Sequence, residues 1–273
     1  MKIVVCMKQV PDTEARLRLA PDGRSIDRTE LKYVLNPYDE FAIEEGLRIR
    51  EAKGGTVTVV CLAPDRARIA IRDALAMGAD DGILVKDTRE HRDAWSTAHV
   101  LADVLKTLQP FDLAFFGRQA VDLDNWQTSI RVAELLDLPC ITAVGKLEVS
   151  DQAVKAWRNV EGGREIVEAD LPVIISADEM LNEPRYASLK GIMAAKKKTI
   201  QERDPGAWDD RVEIVALRPR PERTGGRIVG EGADAVGELV RLLREEAKIL
   251  GAPGSSCSWR CATARSGPSG SKR

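Results

Sequence analysis

With 273 residues and a formal net charge of −2, the chain is long enough for a sizeable core, and its balanced charge gives no general attraction to nucleic acid or to an anionic membrane. An aromatic content of 4% argues against a surface that stacks nucleic-acid bases. The first apolar run, at 3–7, is too short for a signal sequence, and no run approaches the roughly 20 apolar residues that a membrane span requires, so we expect a cytoplasmic protein without membrane insertion.

The first two-thirds of the chain alternates between strand and helix signals. Continuous apolar runs, typical of strands buried on both faces, occur at 2–7, 56–63, 82–86 and 111–117. Helix signals lie between them, at 36–53, 64–77, 101–108 and 127–137, and the first of these begins with Asn36 as the expected N-cap and Pro37 at the first helical position. The segment 15–27 alternates around Pro21-Asp22-Gly23 and predicts a hairpin. This order predicts an α/β fold with a parallel, doubly wound sheet covered on both faces.

The pattern changes after Cys140. Four short apolar segments, the last being "PVIISA" at 172–177, are separated by turn signals and predict strands added in antiparallel fashion. A Pro- and Arg-rich stretch from about 201 contains one predicted strand, at 212–217, and is followed by a predicted helix over 236–250 whose apolar face needs a partner surface. The last residues, 251–273, are poor in apolar side chains, and we expect them to be disordered.

Four segments should meet at the carboxyl ends of the parallel strands, where ligands bind in open α/β sheets: 6–12, 36–39, 61–65 and 116–128. In the last of these, Gly117 lets the backbone approach a ligand closely, and Asp122 and Asp124 precede a helix start that suits a phosphate. The alternative is a capped loop with solvated acidic groups. Neither GxGxxG nor GxxxxGK[ST] occurs, so the standard dinucleotide and P-loop phosphate sites are not predicted.

The sequence predicts no catalytic residue and no metal site. The two histidines, His91 and His99, are too few for the usual triads or metal clusters. Cysteines within apolar runs are typical of buried thiols in a reducing compartment, and here they are Cys6, Cys61 and Cys140. The other two, Cys257 and Cys261, have no histidine nearby that would complete a zinc site.

The segment 183–198, "EPRYASLKGIMAAKKK", combines apolar side chains with a run of lysines. Pro184 and Gly191 interrupt regular structure, so we expect a loop. Exposed apolar anchors beside positive charge are typical of a segment that docks onto another protein. The alternative is an ordinary solvated face, which is what a lysine run usually indicates.

This segment and four others resemble the β subunits of electron transfer flavoproteins. The similar stretches, spread over residues 2–250, are "VVCMKQVPD" (4–12), "NPYDEFAIEEGLRIRE" (36–51), "ALAMGADDGILV" (74–85), "FGRQAVDLDNWQT" (116–128) and "LNEPRYASLKGIMAAKKK" (181–198). The resemblance implies a nucleotide-binding-like α/β domain over 1–200, with a recognition loop at 177–199. It also implies that 201–250 packs on an α subunit.

The same resemblance implies cofactors and partners. The family forms a heterodimer with one FAD, held chiefly by the α subunit, and an AMP held by the β subunit. It takes electrons from acyl-CoA and related dehydrogenases and passes them to a membrane quinone oxidoreductase. An electron-bifurcating branch holds a second FAD in place of AMP and oxidises NADH, and this remains an alternative. A stand-alone adenine-nucleotide-binding protein of the universal-stress type is a third reading.

Site residues carry over from the resemblance. The implied cofactor contacts are Cys6, Asn36, Pro37, Tyr38, Asp39, Leu62, Gly117, Arg118, Gln119, Ala120, Val121, Asp122, Leu123, Asp124, Asn125, Trp126, Gln127 and Thr128, with Tyr38 near the flavin ring. The implied docking residues are Tyr186, Leu189, Ile192, Met193, Lys196 and Lys197, with Leu189 as the anchor. The chain departs from the family pattern at Leu123 and at Ser129-Ile130, where family members commonly carry an acidic or glycine residue and a glycine.

Overall fold

The computed structural model of the chain describes residues 1–219 and 225–250, which fall into two compact units divided after Pro219. The strands of the first unit are β1 (Lys2–Met7), β2 (Gln9–Pro11), β3 (Tyr33–Leu35), β4 (Thr56–Ala63), β5 (Asp81–Lys86), β6 (Leu113–Gly117), β7 (Cys140–Val149), β8 (Ala153–Val160), β9 (Gly163–Asp170), β10 (Val173–Ala177) and β11 (Ile200–Arg203). Its helices are α1 (Pro37–Lys53), α2 (Arg68–Met77), α3 (Ala94–Leu108), α4 (Thr128–Leu136) and α5 (Leu189–Lys197). The second unit contains α6 (Val236–Glu245).

A nine-stranded sheet forms the centre of the first unit, in the order β11-β5-β4-β1-β6-β10-β7-β8-β9. From β11 to β7 every neighbouring pair is parallel, and β8 and β9 extend the sheet in antiparallel fashion. The predicted mostly parallel α/β sheet with antiparallel additions is thus confirmed. The chain leaves β1 towards β4 on one side and returns to β6 on the other, which opens a crevice at the carboxyl end of β1.

The core lies on both faces of this sheet because the central strands are apolar at most positions on both faces. In β1, Ile3 and Val5 pack into the cluster shared with α1 and α2, whereas Val4 faces the cluster shared with α3 and α4. This alternation follows from the period of two in a strand. It explains why the sequence shows continuous apolar runs rather than alternating ones.

One strand prediction placed its strand wrongly in the sheet. The segment 172–177 was expected in the antiparallel addition, but β10 lies parallel between β6 and β7. All five residues of β10 are buried, as an interior strand requires, whereas β9 is mostly exposed. After β7 the chain therefore forms β8 and β9 at the edge of the sheet, and it then returns to the interior of the sheet as β10.

Several local predictions also differ from the structure. The segment expected as a loop contains the helix α5, and Gly191 lies within it. No strand forms at 212–217, where the main chain at Arg211 and Val212 instead donates to the carboxylate of Asp93. The hairpin at 15–27 is reduced to a single bridge between Leu19 and Ile26.

At the carboxyl side, α6 ends at Glu245 and not near 250. Among the described residues, no helix combines the length and the apolar character needed to cross a membrane. The predicted disorder of 251–273, and the cysteines Cys257 and Cys261, lie outside the described residues.

Candidate functional site

A cavity of about 670 Å³ opens at the carboxyl ends of β1, β4 and β6. Cys6 and Leu62 come from the ends of β1 and β4, and Gly117 closes β6. The loop 118–127 and the first residues of α4 form a further wall. The cavity therefore occupies the crevice that the strand order creates, and its volume is in the range of sites for small molecules and cofactors.

The buried carboxylate of Asp39 fixes the floor of the cavity. It accepts hydrogen bonds from the backbone amides of Lys8 (2.6 Å) and Gly117 (3.0 Å), and so joins the ends of β1 and β6 to the first turn of α1. A Cβ at Gly117 would lie 2.3 Å from Asp39 Oδ1, so this contact requires glycine. Residue 117 is thus glycine because the backbone must meet a carboxylate, in addition to any approach of a ligand.

Burial dominates the electrostatics of this floor. It raises the pKa of Asp39 to about 7, although the amides of Lys8 and Gly117 favour the charged form. Burial also raises the pKa of the Cys6 thiol, and that of Cys61 to about 12, with Asp39 adding to both shifts. Both thiols are therefore neutral near pH 7 and are poor nucleophiles, which agrees with a structural role.

The side chain of Asn36 holds the loop 118–127 by bonding to the backbone of that loop. Its side-chain amide donates to the carbonyl of Gln119 (2.9 Å), and its oxygen accepts from the amide of Val121 (3.2 Å). The side chain consequently does not cap α1, contrary to the helix-start signal, although the helix begins at Pro37 as predicted. A residue that reads as an N-cap in the sequence is here used to position a loop.

The loop itself has a constrained backbone. Asp124 (φ 54°) and Trp126 (φ 55°) lie in the left-handed region, which non-glycine residues rarely adopt. The indole of Trp126 donates to Asp124 Oδ1, and the guanidinium of Arg118 lies 4.3 Å from its ring centroid. Lys8 closes the other side of the loop through a 2.7 Å ion pair with Asp122.

Arg118 connects this loop to the segment that follows β10. Its guanidinium donates to the buried carboxylate of Asp178 (2.9 Å) and to the hydroxyl of Tyr38 (3.1 Å), and its amide donates to the carbonyl of Ala177. Loop 118–127 and the residues after β10 thus start side by side, because β6 and β10 are parallel neighbours.

The segment 178–199, hereafter the docking segment, carries an exposed apolar face. Four large apolar side chains between 186 and 193 are exposed: Tyr186 by 99%, Leu189 by 76%, Met193 by 60% and Ile192 by 40%. Lys196 and Lys197 are exposed beside them. Together these residues form the docking face, which has the composition of a protein-binding surface.

The opposite side of α5 is packed closely against α2. Ala195 is buried, and a Cβ at Gly191 would lie 2.3 Å from the carbonyl oxygen of Ala76. Arg72 donates to the carbonyl of Ala195 (2.6 Å), and Lys198 Nζ donates to the carbonyl of Ala79 (2.6 Å). The small residues bring the two helices together, and the two cations satisfy carbonyls at their ends.

Comparison with known proteins agrees with this arrangement. A family model described as "Electron transfer flavoprotein domain" matches residues 24–208. The chain is 38% identical over 260 residues to the electron transfer flavoprotein subunit beta of Bacillus subtilis, covering 92% of this chain and 100% of that protein. The subunits of the same name from Bradyrhizobium diazoefficiens and Dictyostelium discoideum are 40% and 35% identical, over 92% and 91% of this chain and 100% and 99% of theirs.

This chain belongs to the electron transfer flavoprotein β-subunit family. Membership of this family as the β subunit of an electron carrier implies that the chain has an α-subunit partner. The stand-alone nucleotide-binding reading does not fit a family match of this extent.

Most of the cofactor contacts predicted for this electron transfer flavoprotein β subunit come together in the cavity. The lining includes Cys6, Asn36, Asp39, Leu62, Gly117, Arg118, Gln119, Ala120, Val121, Asp122, Leu123, Asn125, Trp126, Gln127 and Thr128. Three predicted residues, Pro37, Tyr38 and Asp124, are not part of the wall. The side chain of Tyr38 contacts the site through Arg118, and that of Asp124 contacts it through Trp126.

A second wall of the cavity is rich in arginine, and no sequence pattern indicated it. Arg66 stacks over the ring of Tyr33 and pairs with Glu90 (2.8 Å), and Arg92 pairs with Asp87. Tyr33, Glu90 and Arg92 lie on or beside irregular segments without a periodic pattern, so no sequence signal placed them at the cavity. Gln9 Oε1, Tyr33 Oη, Arg66 Nε and Arg92 Nη2 are buried atoms of this wall without a hydrogen-bond partner.

Proposed function

We propose that this chain is the β half of an electron carrier that receives electrons from acyl-CoA and related dehydrogenases and delivers them to a membrane quinone oxidoreductase. The observation that carries the proposal is the docking face: an apolar surface beside two lysines, on a helix whose other side is fixed to the domain. A carrier must bind its partners transiently, and a small apolar anchor surrounded by charge suits such binding.

We propose that the cavity holds AMP. The donor set fits a nucleotide, because Lys8 supplies a cation and α4 begins at Thr128 with amides that no side chain caps. The backbone of the loop 118–127, held by Asn36, offers further donors and acceptors for the base and the ribose. Since Asp39 already accepts from two amides, it acts as the floor of the site and not as a ligand.

The FAD, shared with the α subunit, would supply the redox chemistry, and this chain would contribute one side of its binding surface. Arg118 and Tyr38 are the candidates for that role, and the Arg118 guanidinium lies 5.0 Å from the Tyr38 ring centroid. Asp178 holds that guanidinium in position. No residue of the chain needs to make or break a bond for this function.

We propose that residues 201–250 form a segment that packs on the α subunit. In the second unit, α6 exposes Val236 and Leu239, and Arg241 forms ion pairs with Glu238 and Glu245 along the same helix. A helix with one apolar stripe and one charged stripe is typical of an element that covers another surface.

The docking role is tested with Leu189→Ala in the co-purified αβ complex. Leu189 is the most exposed aliphatic residue of α5, and truncating one buried interface anchor typically costs about 1–4 kcal/mol of binding. We expect the KM of an acyl-CoA dehydrogenase for the complex to rise while the flavin and AMP contents stay at the wild-type level. Unchanged kinetics with that dehydrogenase would falsify the docking role.

The electron-bifurcating alternative is favoured by one observation. The cavity of about 670 Å³ is lined both by the loop 118–127 and by the arginine-rich wall, so a ligand longer than AMP has room. Mass-resolved nucleotide analysis of the complex decides between the two. One flavin and one AMP support the plain carrier, whereas two flavins support bifurcation.

A further inference from the structure

The docking face is only useful to a partner if it keeps one conformation in the free protein. Residues 179–188, which lead into α5, have no regular secondary structure, and Tyr186 within them is fully exposed. Such a segment would lose conformational freedom on binding, and each side chain that becomes ordered only at that point weakens the affinity. Binding of a partner is therefore favoured if contacts within the free protein already hold this segment in place.

The buried carboxylate of Glu44 on α1 holds this segment in place by binding Arg185. Glu44 is 2% exposed, and its two oxygens accept from the Arg185 guanidinium at 2.7 Å (Nε) and 3.1 Å (Nη2) and from the Arg185 backbone amide at 3.2 Å. The same guanidinium also donates to both oxygens of Glu51, which lies about two turns after Glu44 in α1. Arg185 thus bridges two carboxylates in the fork geometry that arginine alone offers.

Further contacts hold residues 182 and 183, which precede Arg185, against α1. Arg48 pairs with Glu44 (2.8 Å) and donates to the carbonyl of Glu183 (3.1 Å). Asn182 donates to the carbonyl of Phe41 and to Glu45 (3.0 Å each). Apart from the Arg48–Glu44 pair, which lies within α1, these contacts run from the docking segment to α1, which itself packs on the sheet.

The charges in this cluster support one another. Burial by itself would raise the pKa of Glu44, but hydrogen bonds from Arg185 and Arg48 outweigh it, so the pKa lies below its usual range. Glu51 has its pKa lowered chiefly by the hydrogen bond from Arg185. Both carboxylates are therefore charged near neutral pH, and Arg185 keeps both of its partners.

We propose that Glu44 and Arg185 are positioning residues, which pre-organise the docking face by clamping the segment before Tyr186 and Leu189 onto α1. This inference rests on the proposed docking function. The clamp touches neither the nucleotide cavity nor the docking face itself. Its loss should therefore weaken partner binding without changing what the protein carries.

The test compares co-purified αβ complexes that contain wild-type chain, Arg185→Gln, Arg185→Lys or Arg68→Gln. Arg68 is the matched control, because it also bridges two carboxylates, Asp65 and Glu202, and its side chain is 30% exposed against 33% for Arg185. Amide hydrogen exchange over 186–197 is measured without any dehydrogenase. The kcat and KM are then measured with an acyl-CoA dehydrogenase as electron donor.

We expect Arg185→Gln to speed exchange over 186–197 and to raise KM on the order of tenfold, with kcat and nucleotide content unchanged. Arg185→Lys should be intermediate, because one ammonium group cannot bridge two carboxylates. Arg68→Gln should match the wild type. If Arg185→Gln does not assemble, Glu51→Gln removes only the half-exposed partner and should show the same changes at smaller size.

The failures of the two proposals differ. Wild-type exchange and wild-type KM for Arg185→Gln, together with a raised KM for Leu189→Ala, would overturn the clamp and leave the docking function intact. A wild-type KM for Leu189→Ala would instead overturn the docking function, whatever the exchange of 186–197 shows. Faster exchange with an unchanged KM would also overturn the clamp, because the segment would then be ordered for a reason other than binding.

Discussion

Two long segments leave neighbouring strands at the same edge of the sheet, and they are held in different ways. The loop 118–127 after β6 is held through its main chain, by Asn36. The docking segment after β10 is held mostly by charged side chains, among them Arg185 and Lys198. A loop held partly by its main chain does not depend on its side chains alone, although Asp122 also pairs with Lys8. A segment held from beneath keeps a fixed outer face, which is what the proposed docking requires.

The largest effect is expected at Gly117, where the loop 118–127 begins. In Gly117→Ala the new Cβ would lie 2.3 Å from Asp39 Oδ1 and 2.8 Å from the Tyr38 carbonyl carbon, so the junction of β1, β6 and α1 must open. We expect a loss of about 3 kcal/mol, at the upper end for overpacking, together with loss of the bound nucleotide. Thermal melting and nucleotide analysis of the αβ complex measure both.

Gly163→Ala is the control for this substitution. A Cβ at Gly163, at the start of β9, has no atom within 4 Å, so melting and nucleotide content should stay at the wild-type level. If Gly117→Ala behaves like Gly163→Ala, the junction is more tolerant than the distances imply.

The buried carboxyl of Asp39 should make the cavity floor sensitive to pH. Because its folded pKa is raised to about 7 from an ordinary value near 3.8, the folded state holds a proton that the unfolded chain has already lost above about pH 5. Stability therefore falls as pH rises towards 7, by about 2 kcal/mol between pH 5.5 and 7.5. Melting of the complex at several pH values should show this slope.

The variant Asp39→Asn removes the titrating group while keeping its size. Its melting temperature should be lower at pH 5.5, since an amide nitrogen faces a backbone donor, and the fall between pH 5.5 and 7.5 should be smaller than in the wild type. An identical slope in both proteins would show that Asp39 does not titrate there.

Gly191→Ala should act on the docking segment alone. The Cβ would lie 2.3 Å from the carbonyl oxygen of Ala76, so α5 must move away from α2. A gain of about 1 kcal/mol in helix propensity offsets part of the clash, which leaves a net loss of about 1 kcal/mol in stability. We expect a severalfold higher KM for an acyl-CoA dehydrogenase and a normal AMP content. Loss of AMP would contradict the separation of the two segments.

Tyr186→Ala should have the smallest effect on the free complex. The side chain is 99% exposed, so its removal should shift the melting temperature by less than about 1 °C. Any effect should appear only as a higher KM for the dehydrogenase. A clear drop in melting temperature would mean that Tyr186 packs on part of the complex, in which case it is not free to meet a partner.

The sequence was a good guide to the central sheet. Continuous apolar runs such as 2–7 and 56–63 predicted its buried parallel strands, because burial on both faces leaves no position for a polar residue. The cavity was also foreseen, since the carboxyl ends of β1 and β6 had to meet and the polar residues after Gly117 had no place in a strand or a helix. The segment 183–198 was indicated as a docking segment by its apolar side chains beside a lysine run, and the resemblance then supplied the individual residues, with Leu189 as the anchor.

What the sequence did not reveal depends on contacts between distant parts of the chain. Gly191 reads as a helix breaker, but the close approach of Ala76 makes a glycine necessary inside a helix. Asn36 reads as a cap, but its side chain bonds to residues more than 80 positions away. Arg92 reaches the cavity from an irregular segment and Tyr33 from the short strand β3, and only the fold decides where such residues lie.

The contact of α5 with α2 limits how the docking face can be imitated. A synthetic peptide that copies 181–198 would contain a helix of nine residues, too short to persist in water, and would lack the α2 surface that accepts Gly191 and Ala195. Such a peptide would be a weak competitor for a dehydrogenase. An effective mimic would have to transplant both helices, with α1 to hold their connection, and so would amount to a small part of the domain.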